Sequence, residues 1–112
     1  MISVCMATFN GEKYIKEQIQ SILNQLSLDD EVIISDDGSS DKTLEVINHI
    51  NDKRIKVFTN THKHGFTHNF ENALNHANGE YIFLSDQDDI WAEEKVNKVM
   101  ESLIYNDLVI HD

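Results

Sequence analysis

The chain has 112 residues, 40% of them hydrophobic and regularly spaced, which suits one folded domain with a buried core and excludes a disordered segment. A formal net charge of -11 excludes a nucleic-acid binder, whose phosphate contacts need a basic face, and fits a protein that recruits divalent cations. No apolar run approaches a membrane span and no basic leader precedes Met1-Ile2-Ser3-Val4, so neither a transmembrane segment nor a secretory signal is expected. The single Cys5 lies in an apolar run and reads as a buried thiol in a reducing compartment.

The elements then alternate. Residues 3–7 form a short apolar run rich in β-formers, a buried strand. Asn10 is placed to cap a helix striped by Ile15, Ile19, Ile22, Leu23 and Leu26. After the Asp29-Asp30 loop, residues 32–35 read as a second strand. Ser39 or Ser40 can cap a helix near 41–51, with Asp41 favouring its dipole. Residues 55–59 are a third strand. Phe66, Phe70, Ala73, Leu74 and Ala77 stripe the next helix, which Asn78-Gly79 should stop in left-handed geometry. Residues 81–85 form a fourth strand. Trp91, Val96, Val99, Met100, Leu103 and Ile104 stripe a last helix, and residues 108–110 begin a fifth strand.

Such alternation predicts an α/β, Rossmann-like fold: a mainly parallel sheet of about five strands flanked by helices. Ligands of these sheets sit beyond the carboxyl ends of the strands, where strand order reverses. Polar clusters fall at those ends. Thr8-Phe9-Asn10-Gly11 follows the first strand, Asp36-Asp37-Gly38-Ser39-Ser40 the second, and Asp86-Gln87-Asp88-Asp89 the fourth.

The last cluster crowds carboxylates that repel one another unless solvent or a cation offsets the charge. Mg²⁺ or Mn²⁺ takes oxygen ligands, commonly one or two carboxylates completed by substrate phosphates. The plainer reading is a solvated acidic turn at a helix N-terminus. The second cluster is likewise open between a well-capped turn and a site in which Asp37 accepts the imide N–H of a pyrimidine base. His62, His64 and His68 lack the spacing of a zinc site and read as solvated loop residues, and Trp91 as a packing residue.

Taken together, the segments at residues 3–11, 32–43 and 78–84 and the D-x-D turn resemble, in order, the nucleotide-binding half of a family 2 inverting glycosyltransferase of the GT-A fold. The stretches 65–73 and 84–91 are similar to those of the bacterial rhamnosyltransferase-like group. Two other families with acidic clusters fail on position. A response-regulator receiver needs its acids after the first and third strands. A haloacid-dehalogenase phosphatase needs its D-x-D after the first strand, with Thr or Val where Ile90 stands.

The resemblance implies that Ala7, Thr8 and Asn10 line the nucleotide, that Asp37 reads the pyrimidine with Asp36 beside it, and that Asp86 lies near the ribose. Asp88 is implied as the ligand of Mn²⁺ or Mg²⁺, with Asp86 a further candidate ligand and Asp89 an extra acid. Ala7 replaces a proline common in the family. The implied donor is a UDP- or dTDP-linked sugar. It would pass with inversion to a saccharide or lipid-linked acceptor, in bacterial cell-surface polysaccharide synthesis. A cytoplasmic location is expected, with the complete enzyme peripheral at the inner face of the membrane. The base is expected beyond Asp112 and the acceptor-binding part is expected to be absent, so a non-catalytic nucleotide-sugar or cation-binding module is the alternative. Truncation of the sheet predicts self-association.

Overall fold

In the computed structural model, which describes residues 1–61 and 63–86, strands and helices alternate as β1 (Ile2–Thr8), α1 (Ile15–Leu23), β2 (Glu31–Asp36), α2 (Thr43–Ile50), β3 (Ile55–Thr59), α3 (Phe66–Asn75) and β4 (Tyr81–Asp86). The strands are all parallel, in the spatial order β3-β2-β1-β4. The expected last helix, the fifth strand, Asp88, Asp89 and His62 lie outside the described residues.

The two inner strands are buried at every position, which is why ISVCMAT and EVIISD do not alternate between apolar and polar. Side chains still point alternately to the two faces. Val4, Met6, Val32, Ile34 and Phe83 pack with the α1 stripe Ile15, Ile19 and Ile22 and with Ile47 of α2. Cys5 and Ile33 point the other way, onto Ala73 of α3. Burial, reinforced by the nearby Glu31 charge, pushes the Cys5 thiol up to about 12. That thiol stays protonated and acts as a small apolar residue.

Three local expectations change. Asn10 does not cap α1: the helix begins at Ile15, and the Gly11 carbonyl takes the amides of Tyr14 and Ile15. Ser39 and Ser40 do not cap α2 either. That helix starts at Thr43, whose amide donates to Asp41 Oδ1 at 3.0 Å. In both cases the side-chain oxygens are engaged across two loops instead. The α3 terminus is not left-handed, because His76 ends it in right-handed geometry. Gly79 is needed for another reason. A Cβ there would lie 2.7 Å from Ser3 Oγ and 2.8 Å from the Met1 carbonyl oxygen, so the chain entering β4 passes too close to β1 for any side chain.

At the amino end of the sheet, Glu31 is buried with 1% exposure and joins three segments. Ser3 Oγ donates to Oε2 at 2.6 Å, the Asn78 amide to Oε2 at 2.7 Å, and Lys56 Nζ to Oε1 at 2.8 Å. Burial alone would raise the Glu31 carboxyl, but the bonds from Lys56, Ser3 and Asn78 outweigh it and lower the pKa from 4.5 to about 2. A folded value below the unfolded one means that ionised Glu31 stabilises the fold above its unfolded pKa of 4.5, and that this contribution is lost as pH falls toward about 2. Urea midpoints should therefore drop between about pH 6 and about pH 3 in the wild type and drop less in Glu31→Gln. Equal drops in the two proteins would contradict the assignment.

Candidate functional site

Strand register assembles the carboxyl edge of the sheet. Thr8 of β1 pairs with Asp36 of β2, and on the other flank Ala7 pairs with Asp86 of β4. With neighbouring strands about 4.8 Å apart, the ends of β2 and β4 stand roughly 10 Å from one another across β1. The chain fills the sheet outward from β1 through β2 to β3, then returns to β1's other side as β4. The reversal of strand order therefore falls between β1 and β4, where crevices in parallel sheets open.

Asp36, expected to lie beside the nucleotide, turns inward and is fully buried. Its Oδ1 accepts from Thr8 Oγ1 at 2.7 Å and Ser39 Oγ at 2.6 Å, and its Oδ2 from the amides of Gly38 at 3.0 Å and Ser39 at 2.8 Å. These donors fill the lone-pair sites of a carboxylate. The tight turn they close needs Gly38 at φ 88. Ser39 Oγ also accepts the Asn10 amide at 2.9 Å, and Asn10 Oδ1 accepts the Ser40 amide at 2.8 Å. Asn10 reaches across in a left-handed conformation, φ 52, which Asn tolerates better than most residues. Gly11 adds a bond from its amide to Thr43 Oγ1 at 2.8 Å. The loops after β1 and β2 are thus one body. Thr8 is part of it: its side chain is on Asp36, and its carbonyl accepts from the Asp37 amide and from Asn69 Nδ2.

Asp37 points toward the loop after β3. Its Oδ1 accepts from Asn60 Nδ2 at 3.0 Å and His64 Nδ1 at 2.9 Å, and its Oδ2 from the Gly65 amide at 3.0 Å. A carboxylate only accepts, so the shared proton belongs to His64 Nδ1. Burial raises the Asp37 carboxyl, but the Gly65 amide, Asn60 and His64 together hold it below the ordinary carboxylate value. Its side chain keeps 12% exposure. Asp37 is therefore ionised at neutral pH and partly exposed.

Several of these residues escaped the sequence reading. Asn69 is buried beneath the site, accepting from Ser35 Oγ at 2.6 Å and donating to the Thr8 carbonyl at 3.3 Å. Its signal was present, since position 69 falls on the same helical face as Phe66, Phe70 and Ala73. Asn60 gave no local signal, and Gly65 entered only as the first residue of the stretch 65–73, with no role attached. His64, read as solvated, does stand exposed, yet its ring is tied to Asp37. His68 instead faces Glu71 at 3.7 Å.

Asp86 extends β4 one residue beyond the expected strand, to the level of Ala7. Just below it, Gln18 Nε2 donates to buried Ser85 at 3.0 Å, while Gln18 Oε1 has no partner among the described residues. Among the described residues no group of three His, Cys, Asp or Glu side chains could hold a metal ion. Asp88, expected as the metal ligand, lies outside the described residues. An all-oxygen donor set of one or two carboxylates plus phosphates is of the kind that Mg²⁺ and Mn²⁺ take.

A parallel α/β sheet with Asp36 and Asp86 at the carboxyl ends of β2 and β4, either side of the strand β1 beside which strand order reverses, has the architecture of a Rossmann-like nucleotide-binding fold. The chain belongs to glycosyl transferase family 2, whose sequence model matches residues 3–111. A dTDP-rhamnosyl transferase of Shigella flexneri, RfbG, is 36% identical over 108 residues, covering 90% of this chain and 37% of that protein. The Escherichia coli UDP-Glc:alpha-D-GlcNAc-diphosphoundecaprenol beta-1,3-glucosyltransferase WfgD is 32% identical over 108 residues, covering 96% of this chain and 43% of that protein. Among solved structures, the mannosyltransferase PcManGT of Pyrobaculum calidifontis, in complex with GDP-Man and Mn²⁺, superposes with a TM-score of 0.84 at 26% identity. The match covers 94% of this chain and 32% of that one. The chain spans less than half the length of the curated relatives it matches. Among the described residues no helix is long and apolar enough to cross a membrane.

The inward carboxylate is the structural keystone of this edge. Asp36→Ala removes the acceptor from four donors and should destabilise the fold by about 3 kcal/mol in urea unfolding. A loss below about 1 kcal/mol, the scale of an ordinary surface change, would show that the loops hold together without it.

Proposed function

We propose that this chain forms the donor-binding portion of an inverting, metal-dependent glycosyltransferase that uses a UDP- or dTDP-linked sugar. The observation that carries the proposal is the register placing Thr8 beside Asp36 and Ala7 beside Asp86 at one edge of the sheet. Asp37, ionised and partly exposed, offers an acceptor for the imide N–H of uracil or thymine. Ala7, Thr8 and Asn10 shape the floor on which the nucleoside lies, and Asp36 holds that floor rigid. The ribose lies toward Asp86, and the diphosphate extends over the turn that carries Asp86 and Asp88.

Asp86 and Asp88 would hold Mg²⁺ or Mn²⁺, which supplies positive charge to the diphosphate leaving group. The protein's part is to fix the donor so that an acceptor hydroxyl can approach the anomeric carbon from the face opposite the diphosphate. That approach also needs a carboxylate base, and no residue of this chain is given the role. Relatives named for dTDP-rhamnosyl transfer and for a diphosphoundecaprenol-linked acceptor support a place in bacterial cell-surface polysaccharide synthesis, on a saccharide or lipid-linked acceptor. A lipid-linked acceptor would place the whole enzyme peripherally at the inner face of the membrane.

Titration calorimetry with UDP, dTDP and GDP, with and without Mn²⁺, tests the reading. We expect pyrimidine-nucleotide binding that strengthens with Mn²⁺, loses that dependence in Asp88→Ala, and weakens about tenfold in Asp37→Ala. Wild-type affinity in both variants would refute the site assignment.

A further inference from the structure

We infer that His64 determines which nucleobase the donor site accepts, by occupying the acceptor position on Asp37 that a guanine would need. The inference rests on reading Asp37 as the base-recognising carboxylate. An ionised carboxylate offers about four lone-pair positions, two on each oxygen. On Oδ1 both are taken, one by Asn60 Nδ2 at 3.0 Å and one by His64 Nδ1 at 2.9 Å. On Oδ2 one is taken by the Gly65 amide at 3.0 Å. By this count a single position remains, on Oδ2, and the Asp37 side chain keeps 12% exposure.

The count separates the bases by their hydrogen-bonding edges. Uracil and thymine present one imide N–H between two carbonyls, and one acceptor satisfies it. Guanine presents a ring N–H and an amino group side by side, and a carboxylate receives that pair with one bond to each oxygen. With Oδ1 filled, the guanine amino group would be buried against Asp37 without an acceptor, and an unmet buried donor is costly. Sites built on one fold can differ in this respect, since the mannosyltransferase PcManGT, solved with GDP-Man, shares this fold.

Of the three donors on Asp37, His64 is the one whose removal leaves the scaffold intact. The Gly65 bond comes from the backbone. Asn60 is buried, and its Nδ2 also donates to the Lys63 carbonyl at 3.1 Å. The His64 side chain is 77% exposed and meets Asp37 through Nδ1 alone. It is thus a specificity-determining residue, acting on the base through Asp37.

The experiment compares dissociation constants for UDP and GDP, at fixed Mg²⁺ and neutral pH, in the wild type, His64→Ala and His64→Asn. The asparagine amide can stand where Nδ1 stands and keep the donor. We expect the wild type to prefer UDP, and His64→Ala to narrow the UDP-to-GDP ratio about tenfold, chiefly by tightening GDP, the worth of one charge-assisted hydrogen bond. His64→Asn should restore the wild-type ratio, and thermal unfolding midpoints should agree among all three proteins. An unchanged ratio in His64→Ala, or an equal loss for both nucleotides, overturns the role of His64 while leaving the donor site standing. Equal wild-type affinity for UDP and GDP overturns it as well. No wild-type affinity for UDP would instead overturn the underlying reading of Asp37, and the inference with it.

Discussion

The carboxylate of Asp36 is the interaction on which the carboxyl edge depends. A buried charge is costly unless it is fully hydrogen-bonded, and this one is met by Thr8, Gly38 and Ser39 through side chains and amides. The same bonds give the edge its shape. They fold residues 36–39 into a tight turn, draw the end of β1 against it, and set Ser39 where it can receive the Asn10 amide. Because successive residues leave a strand on opposite sides, Asp36 facing inward sends Asp37 outward, toward the loop after β3. One acid builds the edge, and its neighbour turns to the loop after β3 and keeps part of its surface exposed.

The other end of the sheet makes a useful contrast. Glu31 is also buried and also binds several donors, but its partners are the start of β1, the chain entering β4 and a lysine on β3. It ties strand starts together and leaves no exposed face. Two buried carboxylates therefore bracket the inner strands, both in structural roles. Only at the carboxyl edge does a third, Asp37, keep an accessible side. Polar satisfaction accounts for why the chain places acids inside a sheet whose core is otherwise Ile, Val and Met.

Much of this was legible in the residues. The third strand falls at Ile55–Thr59 as expected, and the next helix spans Phe66–Asn75 where its period put it, with Phe70 and Ala73 buried. Phe66 and Leu74, expected on the same stripe, are instead exposed, because they sit at the margin of the face that α3 lays on the sheet. Order along the chain was enough to locate Asp36 at the end of β2 and Asp86 at the end of β4, and the family resemblance agreed with the match over residues 3–111. What escaped was partnership. Asn10 and Ser39 are good local caps by composition, yet each is engaged across about thirty residues of sequence, where capping rules have no reach. Asp36 and Asp37 are identical neighbours, and only the structure shows that the first is fully buried while the second stays partly exposed. The bond from His64 to Asp37 joins residues 27 apart and leaves no mark in composition or period.

The central claim is that the carboxyl edge between β2 and β4 holds the nucleotide and its metal. Amide NMR spectra recorded with UDP and trace Mn²⁺ test it directly, because the paramagnetic ion broadens signals only near itself. The account predicts broadening at Asp86 and its neighbours, with UDP shifting Thr8, Asp37 and Gly65, while Glu31 and Gly79 at the opposite end stay sharp. Broadening or shifts centred on the amino end, or in the groove between α1 and α2 lined by Lys16, Lys42 and His49, would contradict it.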